Sequence, residues 1–141
     1  MISVIIPTYN RSALLIRAVT SVLEQTFQDF EILIVDDGST DETKKVIEIL
    51  CQKDERIKGF FEEHTGGAAH PKNVAISKAA GEYIAVLDSD DEWTQTKLEK
   101  QLALFEKSTN PKLGLVGCGM KMIDSNTKEV INYYIPQYEN V

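Results

Sequence analysis

Short apolar runs alternate along the chain with longer stretches in which apolar residues recur at helical spacing. Residues 2–6 and 31–35 are mostly aliphatic runs of strand length, and such runs are typical of buried strands. Each run is followed by a helical pattern, the first over residues 12–25. The second helix follows Ser39-Thr40-Asp41-Glu42, a segment that predicts a capping box.

The alternation continues through the rest of the chain. Four further strands are predicted, at residues 56–61, 83–87, 113–123 and 130–135. Between the first two of these, Pro71 is placed to open a helix that Gly81 closes. Another helix is marked by Leu98, Leu102 and Phe105 and ends before Pro111. The last strand follows a turn at residues 124–127 and returns along the strand before it.

Strands that alternate with helices of this length predict a parallel sheet joined by right-handed crossovers. The predicted fold class is α/β, a doubly wound and mostly parallel sheet with helices on both faces. The sequence contains no linker, low-complexity segment or internal duplication, which predicts a single domain over residues 1–141.

The charge and the apolar runs narrow the partners and the location. With 22 acidic and 15 basic residues, the net charge of -7 argues against nucleic acid or anionic lipid held by bulk charge. No apolar run is long enough to span a bilayer, and the N-terminus lacks a signal-peptide pattern. We expect a cytoplasmic protein, and peripheral attachment to the inner face of the membrane stays open.

The unusual polar residues of the chain follow the predicted strands, at the points where the strands end. Ligands of a doubly wound sheet bind at the carboxyl ends of its strands, so these segments predict one binding rim. The candidate nucleotide-binding residues are Pro7, Thr8, Tyr9, Asp36, Asp37, Lys72, Asp88 and Ser89. The candidate metal ligands are Asp88 and Asp90.

Asp88 and Asp90 flank one residue at a strand exit, where both side chains can turn toward the same pocket. Carboxylate oxygens suit Mg²⁺ or Mn²⁺, which keep several waters and share the phosphates of a substrate. The same spacing suits a solvated loop that caps the next helix, so both interpretations stay open from the spacing alone.

A second acidic pair, Asp36 and Asp37, follows the second strand. A carboxylate here could accept the ring N–H of a uracil or thymine, and the pair equally suits a plain Asp-Gly turn before a helix. Tyr9 could lay its ring against a base, with the hydroxyl of Thr8 beside it. Lys72, near a predicted helix start, favours a diphosphate neighbour.

Three segments in order along the chain carry a family resemblance. They are residues 4–11 (Val-Ile-Ile-Pro-Thr-Tyr-Asn-Arg), 34–41 (Ile-Val-Asp-Asp-Gly-Ser-Thr-Asp) and 86–91 (Val-Leu-Asp-Ser-Asp-Asp). Together they closely resemble the large family 2 of inverting glycosyltransferases, which have the GT-A fold. The likeness runs from residue 2 to about residue 119.

The resemblance implies a reaction and roles for individual residues. Thr8, Tyr9 and Asp37 would contact the uracil, Asp88 the ribose or the metal shell, and Asp90 a metal ion that bridges the diphosphate. A sugar would pass from a nucleotide-diphosphate sugar, a UDP-sugar, to the hydroxyl of a saccharide or lipid-linked acceptor. Inversion follows from a single displacement, assisted by Mn²⁺ or Mg²⁺.

Two departures from the family pattern bear on this function. Where the family often has Ala-Arg-Asn-Gly, this chain reads Pro71-Lys72-Asn73-Val74-Ala75, and lysine lacks the bidentate fork of arginine. The acceptor-binding half of the family, with its acidic general base, begins about where this sequence stops. No catalytic base is therefore assigned, and the alternative is a non-catalytic nucleotide-binding fragment that needs a further segment or partner.

Other enzyme classes fit the strand exits less well. A dinucleotide-dependent oxidoreductase would carry Gly-x-Gly-x-x-Gly after the first strand, where this chain has Pro7-Thr8-Tyr9-Asn10. A haloacid-dehalogenase-type phosphatase carries its Asp-x-Asp pair after the first strand of its core, whereas Asp88 and Asp90 follow the fourth.

Two further interpretations concern residues beyond the strand exits. His64 and His70 are interpreted as exposed loop residues. The tyrosines at positions 133, 134 and 138 predict a surface through which copies of the chain associate or a partner binds.

Overall fold

The computed structural model describes residues 1–135. Its strands are β1 (Ile2–Thr8), β2 (Phe30–Asp36), β3 (Ile57–Phe61), β4 (Tyr83–Val86), β5 (Met120–Ile123) and β6 (Val130–Tyr134). Its helices are α1 (Ser12–Leu23), α2 (Thr43–Lys53), α3 (Ala69–Lys78) and α4 (Lys97–Lys107). The chain separates into two compact units, Met1–Glu99 and a second that begins at Lys100. The single domain over residues 1–141 stays a prediction.

Strands β1 to β4 form one parallel sheet in the order β3-β2-β1-β4. The chain builds outward from β1 to β3 and then adds β4 on the other side of β1, so the strand order reverses between β1 and β4. This topology confirms the predicted α/β class with a mostly parallel sheet. In such sheets a crevice opens beyond the carboxyl ends of the strands at the reversal, here at the ends of β1 and β4.

Apolar side chains of the central strands pack on both faces of the sheet. Because alternate residues of a strand point to opposite faces, Val4 and Ile6 pack with Leu15 of α1, while Ile5 packs with Ala75 of α3. Every residue of β1 and of β2 is buried. Burial of one such aliphatic side chain contributes about 1.5–3 kcal/mol, so β1 and β2 are the most firmly held strands of the sheet.

Pro7 lies inside β1, beyond the end of the strand predicted over residues 2–6. The carbonyl of Thr8 accepts a hydrogen bond from Asp37 N (2.9 Å) on the β2 side. Since successive residues of a parallel strand bond to alternate sides, the nitrogen of Pro7 faces the β4 side. There Leu87 N donates the last ladder bond, to the Ile5 carbonyl (3.0 Å), and the missing N–H of proline ends the ladder beside it.

Two of the predicted helix starts differ from the structure, whereas α1 begins at residue 12 as predicted. The capping box at residues 39–42 is wrong: α2 begins at Thr43, whose N–H bonds to the Asp41 carboxylate (2.9 Å), because the hydroxyl of Ser39 bonds to Asp36 instead. Pro71 is the third residue of α3 rather than its first. It still lies in the first helical turn, where backbone N–H groups have no partner within the helix.

The prediction that Gly81 closes α3 is also wrong. That helix ends at Lys78, and the glycines with positive φ among residues 1–135 are Gly38 and Gly66. A Cβ atom at Gly81 would lie 2.5 Å from Ser3 N. Glycine is therefore required at this position by the close approach of the turn to β1.

In the second unit, the strand predicted over residues 113–123 is wrong in extent. Only Met120–Ile123 forms a strand, and within residues 1–135 it pairs with β6 alone, in antiparallel fashion. Residues 113–119 belong to neither sheet of the described part of the chain, and Leu115 is 83% exposed. The turn predicted at residues 124–127 is confirmed: Asp124 Oδ1 accepts the N–H groups of Asn126 and Thr127, each at 2.8 Å.

Tyr133 and Tyr134 of the predicted contact surface are exposed, and Tyr138 lies outside the described residues. Association of copies stays a prediction. Within residues 1–135, no helix combines the length and the apolar character needed to cross a membrane.

Candidate functional site

A pocket of about 550 Å³ opens beyond the carboxyl ends of β1 and β4, within the range of roughly 300–1,000 Å³ that is usual for small-ligand sites. It is lined by Pro7, Thr8, Tyr9, Arg11, Asp37, His64, Gly66, Gly67, Ala68, Pro71, Lys72, Asp88, Ser89 and Asp90. Every residue that the sequence nominated as a nucleotide or metal ligand, except Asp36, is on this wall. Their contacts with a ligand stay predictions.

The loop after β1 is fixed by Asn10, which has a positive φ of 50°. Asparagine tolerates this left-handed conformation better than most residues. Its Oδ1 accepts Thr40 N (2.8 Å), and its own N–H donates to Ser39 Oγ (2.8 Å). The next N–H, of Arg11, donates to Thr43 Oγ1 (3.0 Å). The backbone beside the pocket is thus tied to the start of α2.

Asp36 and Asp37 are both buried but have different partners. The Asp36 carboxylate accepts Ser39 N (3.2 Å) and the Ser39 hydroxyl, and the residue is not part of the pocket wall. It therefore shapes the turn before α2, one of the roles left open by the sequence. Asp37, in the next position, turns into the pocket.

Asp37 holds the loop that follows β3. Its Oδ1 accepts both the N–H (3.0 Å) and the hydroxyl (2.8 Å) of Thr65, and its Oδ2 accepts Gly66 N (3.2 Å). Burial alone would raise the pKa of Asp37, but the hydrogen bonds from Thr65 and Gly66 and the nearby His64 lower it below the ordinary value. Asp37 is thus a buried acceptor that stays ionised.

The ring of His64 stacks on the ring of Tyr9, with centroids 4.0 Å apart and planes at 19°. His64 Nδ1 also lies 3.0 Å from Asp37 Oδ2 and 2.9 Å from the Asp37 carbonyl oxygen. The interpretation of His64 as an exposed loop residue is therefore incomplete, because its ring contacts both Tyr9 and Asp37 on the pocket wall. His70 lies 3.5 Å from Glu62 and is not part of the pocket wall.

The carboxylates after β4 are more exposed and are paired with cations. Asp88 Oδ1 lies 3.0 Å from Lys72 Nζ, and the Asp90 carboxylate pairs with the guanidinium of Arg11. About half of the Asp88 and Asp90 side chains is accessible to solvent. Burial, followed by the negative charges of Asp90 and Asp88, raises the pKa of the neighbouring Asp91.

The donor set at this exit fits Mg²⁺ or Mn²⁺. These ions often bind through one or two carboxylates and take their remaining ligands from water and substrate phosphates. Asp88 and Asp90 supply that minimum on the pocket wall. Within residues 1–135, no three Asp, Glu, His or Cys side chains converge into a complete protein cage.

Comparison with known proteins decides the family. A sequence profile described as glycosyl transferase family 2 matches residues 3–138. The chain belongs to glycosyl transferase family 2. The resemblance inferred from the three strand exits is thereby confirmed, and so is the assignment of a glycosyltransferase enzyme domain.

Curated relatives of this glycosyltransferase domain are considerably longer. This chain is 51% identical over 107 residues to an uncharacterized glycosyltransferase of Rickettsia conorii. The aligned residues make up 76% of this chain and 17% of the relative. The chain is 41% identical over 109 residues to the Escherichia coli UDP-Glc:alpha-D-GlcNAc-diphosphoundecaprenol beta-1,3-glucosyltransferase WfgD, covering 77% of this chain and 42% of that protein. The chain thus spans less than half the length of either relative.

Two solved glycosyltransferases of the GT-A type share the fold of this domain. Staphylococcus aureus TarS (residues 1–349), in complex with UDP-GlcNAc, superposes with a TM-score of 0.69 at 35% identity, covering 74% of this chain and 31% of that one. The Pyrobaculum calidifontis mannosyltransferase PcManGT, in complex with GDP-Man and Mn²⁺, superposes with a TM-score of 0.75 at 27% identity. The superposition covers 83% of this chain and 34% of the mannosyltransferase. These similarities confirm the GT-A fold.

The candidate ligands chosen from the sequence of this glycosyltransferase do not include six residues of the pocket wall, namely Arg11, His64, Gly66, Gly67, Ala68 and Pro71. Among these residues Arg11 had the clearest sequence signal for a place in the site, because it is a cation just after a strand in an acidic chain. His64 was noticed only as an exposed loop residue, because its partner Asp37 is 27 positions away in the sequence.

Proposed function

We propose that this pocket binds a UDP-sugar and that the protein transfers the sugar, with inversion, to an acceptor hydroxyl in polysaccharide or glycoconjugate synthesis. The observation that carries the proposal is the composition of one pocket wall. A stacked aromatic pair beside a buried carboxylate shares that wall with exposed carboxylates and two cations. The first group suits a base, and the second suits a metal-bound diphosphate.

The base side supports a uracil. The ring N–H of uracil is a donor, whereas the corresponding atom of cytosine is an acceptor, and Asp37 is an ionised acceptor. Its Oδ1 accepts two groups of Thr65, whereas Oδ2 accepts Gly66 N and contacts His64, so the base would bond to Oδ2 in place of His64. His64 could give up its contact with Oδ2 and keep the carbonyl oxygen of Asp37, which is 2.9 Å from its Nδ1.

The acidic side supports a diphosphate held with a divalent cation. Asp88 and Asp90 would hold Mn²⁺ or Mg²⁺, which when bound stabilises the negative charge of the departing nucleoside diphosphate. Lys72 lies on the same wall within reach of Asp88 and would bind phosphate oxygens. The loop after β1, which carries Tyr9, is fixed by Asn10, so the backbone of this part of the wall is oriented before the donor arrives.

The named relatives support this choice of donor and metal class. The Escherichia coli relative is named for a UDP-glucose donor and a lipid-diphosphate acceptor, and the Staphylococcus aureus structure contains UDP-GlcNAc. The Pyrobaculum calidifontis structure contains GDP-Man with Mn²⁺, so guanine is the base that competes with uracil, and GDP is the nucleotide that tests it. A saccharide or lipid-linked acceptor is proposed by the same reasoning, and with it a location at the inner face of the membrane.

A second proposal is that the chain binds the donor and does not transfer the sugar without a further segment or partner. One observation favours it: among residues 1–135, the carboxylates on the pocket wall are Asp37, Asp88 and Asp90, and each already has a partner. In the proposed donor complex Asp37 would bind the base and Asp88 and Asp90 the metal ion, which leaves none of the three to remove a proton from an acceptor hydroxyl. Release of UDP from a UDP-sugar in the presence of simple saccharide acceptors would contradict this second proposal.

Nucleotide selectivity tests the proposed donor site. We would titrate UDP, CDP and GDP into the protein by calorimetry in the presence of Mn²⁺. We expect UDP to bind at least about tenfold more tightly than CDP, because Asp37 would face an acceptor atom of cytosine. Equal affinity for all three nucleotides, or binding of none, would overturn the proposal.

A further inference from the structure

Arg11 is a cation of the pocket wall to which the proposed donor site assigns no contact of its own. It follows the fixed turn at Asn10, and its own N–H donates to Thr43 Oγ1 (3.0 Å). Its guanidinium reaches across to the Asp90 carboxylate on the loop after β4. Because the backbone of Arg11 is held, a change of partner requires only rotation of its side chain.

The partner of Arg11 is a candidate metal ligand. A divalent cation that binds Asp90 must compete with the guanidinium for the same carboxylate. The pair is half exposed on both sides, and ion pairs of this exposure are weak. A doubly charged ion with its phosphate ligands can therefore displace the guanidinium.

The displaced guanidinium has a natural acceptor in the same pocket. Arginine presents N–H groups in a planar fork that binds two phosphate oxygens at once. Lys72 is in an equivalent position at the other carboxylate, with its Nζ 3.0 Å from Asp88 Oδ1. Each acid of the exit after β4 is thus held by a cation that could bind phosphate instead.

We propose that Arg11 is a diphosphate-binding residue that pairs with Asp90 before the donor binds and moves to the diphosphate when the metal ion takes its place. This inference rests on the proposed function, because it assumes a nucleoside diphosphate and a divalent cation in this pocket. Arg11 opposes binding of the metal alone and promotes binding of the metal together with the nucleotide. The metal site is thereby favoured only when a donor is present.

Substitution of Arg11 by methionine separates these two effects. In Arg11→Met, we expect Mn²⁺ alone to bind about two- to fivefold more tightly than in the wild type, because the competing ion pair is gone. We expect UDP in the presence of Mn²⁺ to bind about tenfold more weakly, because a charge-assisted contact is lost. Electron paramagnetic resonance of free Mn²⁺ measures the first affinity, and calorimetry with UDP measures the second.

Arg17→Met is the matched control, because Arg17 pairs with Glu92 and neither residue is on the pocket wall. It should leave both affinities at the wild-type values. Arg11→Lys keeps the charge and loses the fork, so UDP should bind more weakly with little change in the affinity for Mn²⁺. Thermal melting followed by circular dichroism establishes whether each variant is folded. If Arg11→Met is not folded, the UDP affinity of Arg11→Lys is the test.

The outcomes distinguish this inference from the function on which it rests. If the wild type binds UDP with Mn²⁺ and the Arg11 variants bind both ligands as the wild type does, the role of Arg11 is wrong and the donor site stands. If the wild type binds no uridine nucleotide, the proposed function fails and the diphosphate role fails with it. Opposite changes in the two affinities of Arg11→Met, absent from Arg17→Met, support the inference.

Discussion

The two acidic strand ends of the pocket are built in different ways. Asp37, after β2, is buried, and its carboxylate accepts backbone and hydroxyl groups of the loop at Thr65 and Gly66. Asp88 and Asp90, after β4, are half exposed, and each pairs with one cationic side chain. The sequence presents the two ends alike, as paired acids after an apolar strand.

The contrast indicates which carboxylates can change partners. Hydrogen bonds to a buried carboxylate are costly to remove, since each donor left unsatisfied costs about 1–3 kcal/mol. Exposed ion pairs contribute only about 0–1 kcal/mol, so their loss is easily offset by a bound ion. We infer that the end after β2 is a permanent part of the wall and that the end after β4 is exchangeable.

The largest effect should come from removal of the buried acid. Asp37→Ala leaves the donors of Thr65 and Gly66 without their acceptor, and we expect the free energy of unfolding to fall by about 2–3 kcal/mol. Asp88→Ala removes an exposed acid of the same type and should lower it by less than about 1 kcal/mol. Urea denaturation followed by circular dichroism measures both values.

Equal losses of stability in the two variants would contradict this contrast. A larger loss in Asp88→Ala than in Asp37→Ala would also contradict it, because the carboxylate that stabilises the fold would then be the one after β4.

The aromatic wall should have the next largest effect, and on binding rather than stability. His64→Ala removes the ring that stacks on Tyr9 and contacts Asp37, so we expect UDP affinity to fall by about three- to tenfold. His70→Ala is the matched control, because His70 contacts Glu62 and is not on the pocket wall. Unchanged UDP affinity in His64→Ala, or an equal fall in both variants, would remove His64 from the site.

Acid should weaken the buried strand end selectively. The pKa of Asp37 is lowered from its ordinary value of 3.8, so its charged form contributes stability at higher pH that is lost as the pH falls below that value. Asp37→Asn lacks this contribution. We expect the stability difference between wild type and variant to be constant from neutral to mildly acid pH and to shrink below pH 3.8.

Thermal unfolding across this pH series, monitored by circular dichroism, provides the measurement. A difference that grows as the solution is acidified would mean that the pKa of Asp37 is raised by folding rather than lowered.

The smallest effect should come from replacing one cationic side chain by another at the strand end after β4. Lys72→Arg restores the bidentate fork that the family often carries near this position, and we expect UDP to bind about twofold more tightly in the presence of Mn²⁺. Calorimetry of wild type and variant under identical conditions measures the change. A marked loss of affinity would indicate that the pocket accommodates the compact ammonium of lysine and not a guanidinium.

Most of the fold was predictable because its signals are local and repeated. Apolar strands that alternate with helical patterns identified β1 to β4 and the helices between them. The error over residues 113–119 arose because an apolar run forms a strand only if another strand lies beside it, which composition does not reveal. Gly81 misled for a similar reason, since its close approach to Ser3 spans most of the first unit.

The candidate site was predictable to the extent that chemistry follows strand ends. Topology placed Thr8, Asp37 and Asp88 on one wall, as the rule for doubly wound sheets requires. The sequence did not separate Asp36 from Asp37, because neighbouring acids diverge only once their hydrogen-bond partners are known. It also gave no sign of the contact between His64 and Asp37, which forms only when the loop after β3 folds back onto β2.

The most direct test of the exchangeable strand end is calorimetry of UDP with and without Mn²⁺, on the wild type and on Asp90→Asn. We expect Mn²⁺ to tighten UDP binding by at least about tenfold in the wild type and to have no effect in the variant, because a neutral amide is a poor ligand for a hard cation. Equal affinity with and without Mn²⁺ in the wild type would contradict the account. So would the same enhancement in Asp90→Asn.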